Sequence, residues 1–223
     1  MSTTNLDVWY VLPLHYVITI DTNIANLLTI GVIFKIAAMR EAVGLHNSSI
    51  DILTFIDSLP SQEAQAEAHD KVRQIENQAM KEMRPQPGMV QLMEFLTLNH
   101  VSKNICTRNL LMPVEHLISN FIPQEHSQFE QIVTRDFKPT KPDPAPLLHI
   151  AKTLNVEPSS ILMIGDSYDD MMSGNSAGCA TILLKNDVNK YLLDSHKEII
   201  DAHVHDLTEV IDLIESGIEK SIN

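Results

Sequence analysis

Three aspartates crowd into five residues of the segment ILMIGDSYDD, namely Asp166, Asp169 and Asp170. The apolar run before them predicts a buried strand. Gly165 permits a tight turn that leaves Asp166 at the carboxyl end of that strand, where open parallel sheets bind ligands. Carboxylates this close repel one another, and a hard cation such as Mg²⁺ relieves the repulsion. The alternative is an acidic helix N-terminus, in which aspartates cap backbone amides.

A second polar group follows another apolar run, in the segment NICTRN. The hydroxyl of Thr107 and the backbone amides after it are placed to donate hydrogen bonds to a phosphate oxygen, with Arg108 and Asn109 beside them. A threonine at the end of a strand is also a common helix cap, so this segment alone does not decide between the two roles.

The third group is a lysine among prolines, in the segment FKPTKPDPAP. Prolines stiffen the backbone around Lys141 and Asp143, and Pro144 can begin a helix at its first turn. A lysine held in a rigid loop is suited to neutralise a fixed anion. The alternative is that Lys138 or Lys141 is only a solvated charge.

The elements that must position these side chains alternate along the chain. Strand and helix patterns follow one another, which predicts a parallel sheet covered by helices on both faces. The predicted strands are Val101–Cys106, Phe129–Val133, Ile161–Ile164 and Ala180–Leu184, and the predicted helices are Leu110–Ser119, Asp143–Leu154 and Ser167–Ala177. Residues 35–84 carry helical patterns throughout, including an apolar stripe after a cap at Ser61, and the segment Pro85–Gly88 ends them.

Thr107, Lys141 and Asp166 occur in the order and at the spacing of the haloacid dehalogenase superfamily, which the chain resembles from about Gly31 to Gly217. The resemblance extends to the run SAGCATILL after the aspartates. It implies an α/β fold with a Rossmannoid parallel sheet flanked by helices and an inserted helical cap of the C1 type. The core domain would then comprise residues 1–34 and 85–223, and the cap residues 35–84.

The resemblance also implies a phosphatase that transfers a phosphoryl group in two steps. An aspartate after the first strand attacks phosphorus, and a second aspartate two residues later serves as general acid and base. In this scheme Thr107 binds the phosphoryl oxygen together with Arg108 and Asn109. Lys141 orients the nucleophile, offsets charge and contributes to phosphate binding, so Thr107 and Lys141 are the expected catalytic residues. Asp166 holds Mg²⁺ with help from Asp170. A cap that closes over the site implies a small phosphorylated metabolite as substrate.

The aspartate pair that this chemistry needs has no intact counterpart near the N-terminus. In one alignment, Gly31–Phe34 is the first strand and Lys35 stands where the nucleophile belongs. In the other, the segment YVITIDTNIANLL is a degraded first motif, with Asp21 as nucleophile and Asn23 in the place of the general acid. Asparagine cannot exchange a proton as a carboxyl does, and losing general acid–base help costs about 10²- to 10⁴-fold in rate.

Three interpretations of the function therefore stay open. The chain is a Mg²⁺-dependent phosphatase that uses Asp21, or it is a non-catalytic relative, a pseudoenzyme, that binds a phosphorylated ligand or a protein partner. In the third interpretation, a splice or frame error in the gene sequence replaced the true first motif. The sequence alone does not tell whether catalysis is impaired.

Composition narrows the partners and the compartment. The formal net charge of −13 repels phosphate backbones and anionic lipid, so we expect neither nucleic acid nor membrane as a partner. No lysine or arginine precedes Lys35, which argues against a secretory signal. Two cysteines are too few for a disulfide framework or a metal cluster. Together these features favour a cytoplasmic protein.

Overall fold

The computed structural model describes residues 17–21, 38–47, 50 and 52–217. The chain divides into two compact units, one comprising Met1–Ala25 and Pro85–Asn223 and the other comprising Asn26–Arg84. The division before residue 85 coincides with the Pro85–Gly88 segment, and the other lies between residues 25 and 26, whereas the predicted boundary follows residue 34. That the smaller unit acts as a cap stays a prediction.

One parallel sheet organises the larger unit. Its six strands lie in the order β3-β2-β1-β4-β5-β6, and every neighbouring pair is parallel. The strands are β1 (Val17–Ile20), β2 (Ser102–Cys106), β3 (Gln131–Val133), β4 (Ile161–Gly165), β5 (Ala180–Leu184) and β6 (Ala202–Val204). From β1 the chain adds β2 and β3 on one side and then β4 to β6 on the other. The strand order reverses beside β1, which is where such sheets bind ligands.

Helices connect the strands, and those predicted over residues 110–119, 143–154 and 167–177 begin and end within two residues of their predicted limits. In the larger unit they are α3 (Met89–Leu98), α4 (Leu111–Phe121), α5 (Ala145–Leu154), α6 (Tyr168–Ala177), α7 (Leu192–Ser195) and α8 (Thr208–Ser216). α5 packs against α6, and α3 packs against α8. The predicted α/β class is confirmed. Within the described part of the chain, no helix is long and apolar enough to cross a membrane.

The core of the sheet explains why these sequences form strands. β4 and β5 are buried at every position, as expected for parallel strands covered on both faces. Leu147 and Ile150 of α5 pack with Val17, Ile161 and Met163 of the sheet in one apolar cluster. This layer fixes the strand ends that carry the polar residues.

The smaller unit is helical in the residues that the structure describes. It contains α1 (Ile52–Asp57) and α2 (Gln62–Glu82). The predicted cap at Ser61 is confirmed, since its side chain accepts a hydrogen bond from the Ala64 amide at 3.2 Å. Ala68 and Val72 of the predicted stripe are buried in one cluster with Ile56.

Of the two predicted positions of the first strand, the structure describes one. Val17–Ile20, within the segment YVITI, occupies the centre of the sheet and pairs with both β2 and β4. The alternative, Gly31–Phe34, lies outside the described residues, as does Asn23.

Candidate active site

The polar residues named from the sequence lie where neighbouring strands end. Asp21 follows β1, Thr107 follows β2 and Asp166 follows β4. The sheet pattern continues one residue further on two of these strands, because the Asp21 amide donates to the Ile164 carbonyl at 3.0 Å and the Thr107 amide donates to the Val133 carbonyl at 2.8 Å. The sheet therefore brings these side chains to one edge.

Three carboxylates form the acidic cluster of this edge. Asp21, Asp166 and Asp170 each offer an oxygen, and these oxygens lie within 4.8 Å of one another. Asp21 and Asp170 are buried, and Asp166 is half-buried. A set of carboxylate oxygens this close matches the preference of Mg²⁺ for hard oxygen ligands.

Lys141 neutralises part of the cluster. Its ammonium donates to the Cys106 carbonyl at 2.7 Å and to Asp170 Oδ1 at 2.5 Å, and it lies 3.2 Å from Asp21 Oδ2. The side chain is 1% exposed, so it is not a solvated surface charge. Burial by itself lowers the pKa of Lys141, but the charges of Asp170 and Asp21 outweigh that effect and raise it above its ordinary value. The lysine stays protonated at any physiological pH.

Hydrogen bonds around Asp143 hold the loop that carries Lys141. The Asp143 amide donates to the Thr140 carbonyl at 3.1 Å, and the Asp143 side chain accepts from the Ala145 amide at 2.8 Å at the start of α5. The hydroxyl of Ser173 in α6 donates to the Asp143 carbonyl at 2.8 Å. These contacts join the loop to the first turn of α5 and to α6, and its rigidity stays a prediction.

Asp170 connects the lysine to the turn after β4. Its Oδ2 accepts from the Asp166 amide at 3.2 Å, from the Ser167 amide at 3.0 Å and from the Ser167 hydroxyl at 2.6 Å. Ser167 and Asp170 form the capping box that begins α6. Burial tends to raise the pKa of Asp170, but the ammonium of Lys141 and these hydrogen bonds lower it. Asp170 is therefore an anion with protein donors on both of its oxygens.

Gly165 is required by this arrangement. A Cβ at position 165 would lie 2.4 Å from the Cβ of Asp170 and 2.5 Å from its Cγ. Only a glycine lets the aspartate side chain fold back across the end of the strand.

Asp166 is the carboxylate of the cluster whose ionised form is disfavoured. Burial, followed by repulsion from Asp170 and Asp21, raises its pKa from 3.8 to about 7. The cluster thus holds more negative charge than Lys141 offsets, and a divalent cation at Asp166 would remove the imbalance.

The predicted phosphate-binding residues lie at the end of β2. Thr107 is buried, and its Oγ1 accepts a hydrogen bond from the Asn109 amide at 3.1 Å. Arg108 is half exposed and forms an ion pair with Asp169. The predicted groups therefore meet around the same strand ends, and Arg108 links the loop after β2 to the start of α6.

Sequence reasoning missed Asn189, which follows β5. Its Nδ2 donates to the Asp166 carbonyl at 2.8 Å and to the Leu184 carbonyl at 2.8 Å. Its Oδ1 accepts from the Asn186 amide at 2.7 Å. The segment KNDVN, rich in turn-forming Asn and Asp, was the available signal, but it predicts only a turn and not its contact with the turn after β4.

Comparison with known proteins supports one family. Residues 22–184 match the family model for haloacid dehalogenase-like hydrolases. The chain is 58% identical over 184 residues to the uncharacterized hydrolase YOR131C of Saccharomyces cerevisiae, covering 82% of this chain and 84% of that one. It is 43% identical over 65 residues to a phosphoglycolate phosphatase of Psychrobacter arcticus, covering 29% of this chain and 28% of that one.

A solved structure shows the same fold. The crystal structure of a predicted phosphoglycolate phosphatase from Haemophilus somnus superimposes with a TM-score of 0.67 at 15% identity, covering 91% of this chain and 99% of the other. At that identity the likeness concerns the fold alone.

Proposed function

The chain belongs to the haloacid dehalogenase-like hydrolases, and from that membership we propose that it is a Mg²⁺-dependent phosphatase of small phosphorylated molecules with Asp21 as its nucleophile. One observation carries the proposal. The buried ammonium of Lys141 lies between the carboxyl groups of Asp21 and Asp170, so it orients Asp21 at the strand ends and offsets negative charge there. A carboxylate in this position can serve as a nucleophile.

The reaction would proceed in two steps. An oxygen of Asp21 bonds to phosphorus while the bond from phosphorus to the alcohol oxygen breaks, and the alcohol leaves with a proton from water. Water then attacks the phosphoaspartate, which releases inorganic phosphate and restores the carboxylate. The hydroxyl of Thr107 donates to a phosphoryl oxygen, and Lys141 offsets the charge of the phosphoryl group.

Asp166 and Asp21 are the residues that would hold Mg²⁺. The raised pKa of Asp166 supports this assignment. Bound Mg²⁺ supplies positive charge that stabilises the phosphoryl oxygens. Asp170 was expected as a ligand from the sequence, but four protein donors already occupy its two oxygens. We therefore propose that it positions Lys141 and the loop after β4.

Asn23 limits the chemistry. With asparagine two residues after the nucleophile, no carboxyl at that position protonates the leaving alcohol. Phosphate esters of acidic alcohols such as p-nitrophenol, which leave without a proton, should therefore react much faster than alkyl phosphates.

Hydrolysis of p-nitrophenyl phosphate tests the proposal. We expect turnover that requires Mg²⁺ and is lost in Asp21→Asn. Asp212→Asn, an exposed carboxylate of α8, is the matched control and should retain full activity. Activity that survives Asp21→Asn would exclude Asp21 as the nucleophile.

The second candidate is a non-catalytic relative, and the asparagine at position 23 favours it. Such a protein would bind Mg²⁺ and phosphate at the same carboxylates, threonine and lysine without turnover. Calorimetry with Mg²⁺ and inorganic phosphate separates the phosphatase from the non-catalytic relative. Binding without hydrolysis of any ester supports the non-catalytic relative, and the absence of binding excludes it.

We further propose that the protein acts in the cytoplasm. Cys106 and Cys179 are buried and are not joined in a disulfide, as suits a reducing compartment. Microscopy of a fluorescent fusion would test the location.

A further inference from the structure

Two ionic contacts join the end of β2 to the start of α6. The buried one runs through Lys141, whose ammonium donates to the Cys106 carbonyl at 2.7 Å and to Asp170 Oδ1 at 2.5 Å. The other is the ion pair between Nη1 of Arg108 and Oδ2 of Asp169. The proposed chemistry uses the contacts of Lys141 and leaves this second ion pair without a role.

The ion pair of Arg108 lies further out from the sheet than the contacts of Lys141. Arg108 comes two residues after Cys106, and the chain runs outward from the carboxyl end of β2, so the two backbone positions are at most about 7 Å apart. Exposure rises in the same direction. The side chains of Lys141 and Asp170 are 1% and 0% exposed, whereas those of Arg108 and Asp169 are 49% and 22% exposed.

This outer ion pair crosses the end of β1. β2 and β4 flank β1 on opposite sides, roughly 10 Å apart. Right-handed connections place α4, which follows β2, and α6, which follows β4, on opposite faces of the sheet, because the two connections run in opposite directions. An ion pair from the loop before α4 to the first turn of α6 therefore spans the carboxyl edge at β1, where Asp21 stands.

A phosphoryl group on Asp21 would lie between the two contacts. In-line displacement requires the leaving group to depart on the side of phosphorus opposite the nucleophile. Asp21 lies 3.2 Å from the ammonium of Lys141 at the inner contact, so the leaving group faces outward. The organic part of a substrate therefore meets Arg108 and Asp169.

Arg108 is able to bind an anionic group at this position. A guanidinium has five N–H donors, and the contact with Asp169 uses Nη1. Ion pairs this exposed contribute little to stability, so Asp169 can share the guanidinium with a ligand at small cost. The planar fork of arginine matches a carboxylate, which accepts two parallel N–H bonds.

The charge of the site favours a carboxylate over a second phosphate. Asp166 and Asp170 lie in the acidic cluster behind the ion pair. The single charge of a carboxylate is matched by one guanidinium, whereas a phosphate carries a charge of about −2 and would meet more repulsion from these aspartates.

We propose that Arg108 is a specificity-determining residue that binds a carboxylate on the leaving group of the substrate. The favoured substrates are then phosphate esters of small hydroxy acids. This inference rests on the proposed function, since it assumes that the phosphoryl group is bound next to Asp21. It assigns Arg108 to the far end of the substrate, whereas the family resemblance implied a role at the phosphoryl oxygens.

Two phosphonates of equal size test the assignment without turnover. Phosphonoacetate carries a carboxylate, and isobutylphosphonate has the same number of heavy atoms but no charge in that place. Calorimetry at equal free Mg²⁺ would measure both affinities. We expect phosphonoacetate to bind about tenfold more tightly than isobutylphosphonate, since the carboxylate gains charge-assisted hydrogen bonds.

Variants of Arg108 assign the difference to its guanidinium. Arg108→Gln should lower the ratio of the two affinities about tenfold, to near one. Arg108→Lys should retain part of the ratio, because an ammonium keeps the charge but not the fork. Circular dichroism should show that both variants fold, as expected for a half-exposed side chain.

Lys152→Gln is the matched control, because it also removes one positive charge. Lys152 is exposed in the last turn of α5, which ends before β4 begins and so lies at the opposite edge of the sheet from Asp21. This variant should keep the wild-type ratio of affinities.

The outcomes separate this inference from the proposed function. A wild-type ratio in Arg108→Gln, equal weakening of both phosphonates in that variant, or no binding of either phosphonate overturns the role of Arg108. The expected ratios without hydrolysis of p-nitrophenyl phosphate support the role of Arg108 and refute the phosphatase. Hydrolysis without these ratios does the reverse.

Discussion

Replacing Asp166 by asparagine should make the metal-free protein more stable at pH 8. The carboxyl has a pKa of about 7 in the folded protein against an ordinary 3.8. The folded state therefore binds the proton more tightly than the unfolded state, so the stabilisation is complete below pH 3.8 and is lost as the pH rises through 7. The gap of about three pH units, at about 1.36 kcal/mol each, amounts to about 4 kcal/mol lost by the wild type.

Asparagine keeps the shape of the side chain but removes its charge, so Asp166→Asn escapes this loss. In EDTA, its free energy of unfolding should exceed that of the wild type by up to about 4 kcal/mol at pH 8 and by little at pH 4. Urea denaturation followed by circular dichroism measures both values. The exposed Asp212→Asn should change stability by less than about 0.5 kcal/mol at either pH.

Added Mg²⁺ should reverse the order of stability of the wild type and Asp166→Asn. Mg²⁺ at pH 8 should raise the unfolding midpoint of the wild type and leave that of Asp166→Asn almost unchanged, since the variant lacks a carboxylate ligand. A variant that is less stable than the wild type at pH 8 in EDTA, or a difference that does not vary with pH, would refute the interpretation of Asp166 as a repelled carboxylate.

Three further predictions concern other parts of the molecule. Lys141→Met leaves two buried carboxylates without their cation and should lower the free energy of unfolding by about 3–5 kcal/mol in urea titrations; wild-type stability would contradict the ion-pair interpretation. Asn23→Asp should raise kcat for alkyl phosphates by about 10²- to 10⁴-fold while changing p-nitrophenyl phosphate turnover far less, and an equal effect on both would argue against a missing general acid. Gly88 has a φ of 80° and a Cβ there would lie 2.5 Å from the Thr208 amide nitrogen. Gly88→Ala should therefore lower Tm more than Gly44→Ala, which has a φ of 76° but no atom within 4 Å of the added Cβ; equal losses would show that backbone strain alone matters.

Strands β2 to β5 and helices α4 to α6 were predictable because their cause is local. Ile161–Ile164 is apolar throughout and Ala180–Leu184 is apolar except for Thr181, which is the pattern expected of parallel strands buried on both faces. The position of Asp166 followed from the same run, because the residue after a strand and its glycine must lie at the carboxyl edge.

Other features depend on contacts between distant segments. The sequence left two candidates for the first strand, and pairing of Val17–Ile20 with both β2 and β4 favours the one that carries Asp21. The hydrogen bonds that occupy both oxygens of Asp170 involve Lys141, which is 29 residues away. The contact of Asn189 with the Asp166 carbonyl spans 23 residues. No local sequence pattern predicts contacts between residues so far apart in the chain.

The two hydrogen bonds donated by the Asn189 side chain have a consequence for how this protein can evolve. The side-chain amide of Asn189 donates hydrogen bonds to the main-chain carbonyls of Asp166 and Leu184. Every amino acid has such a carbonyl, so these bonds do not depend on the side chains at positions 166 and 184. The neighbouring Val188 and Tyr191 point much of their surface to solvent. Mutations at these two positions can therefore accumulate without displacing the carboxylates behind them.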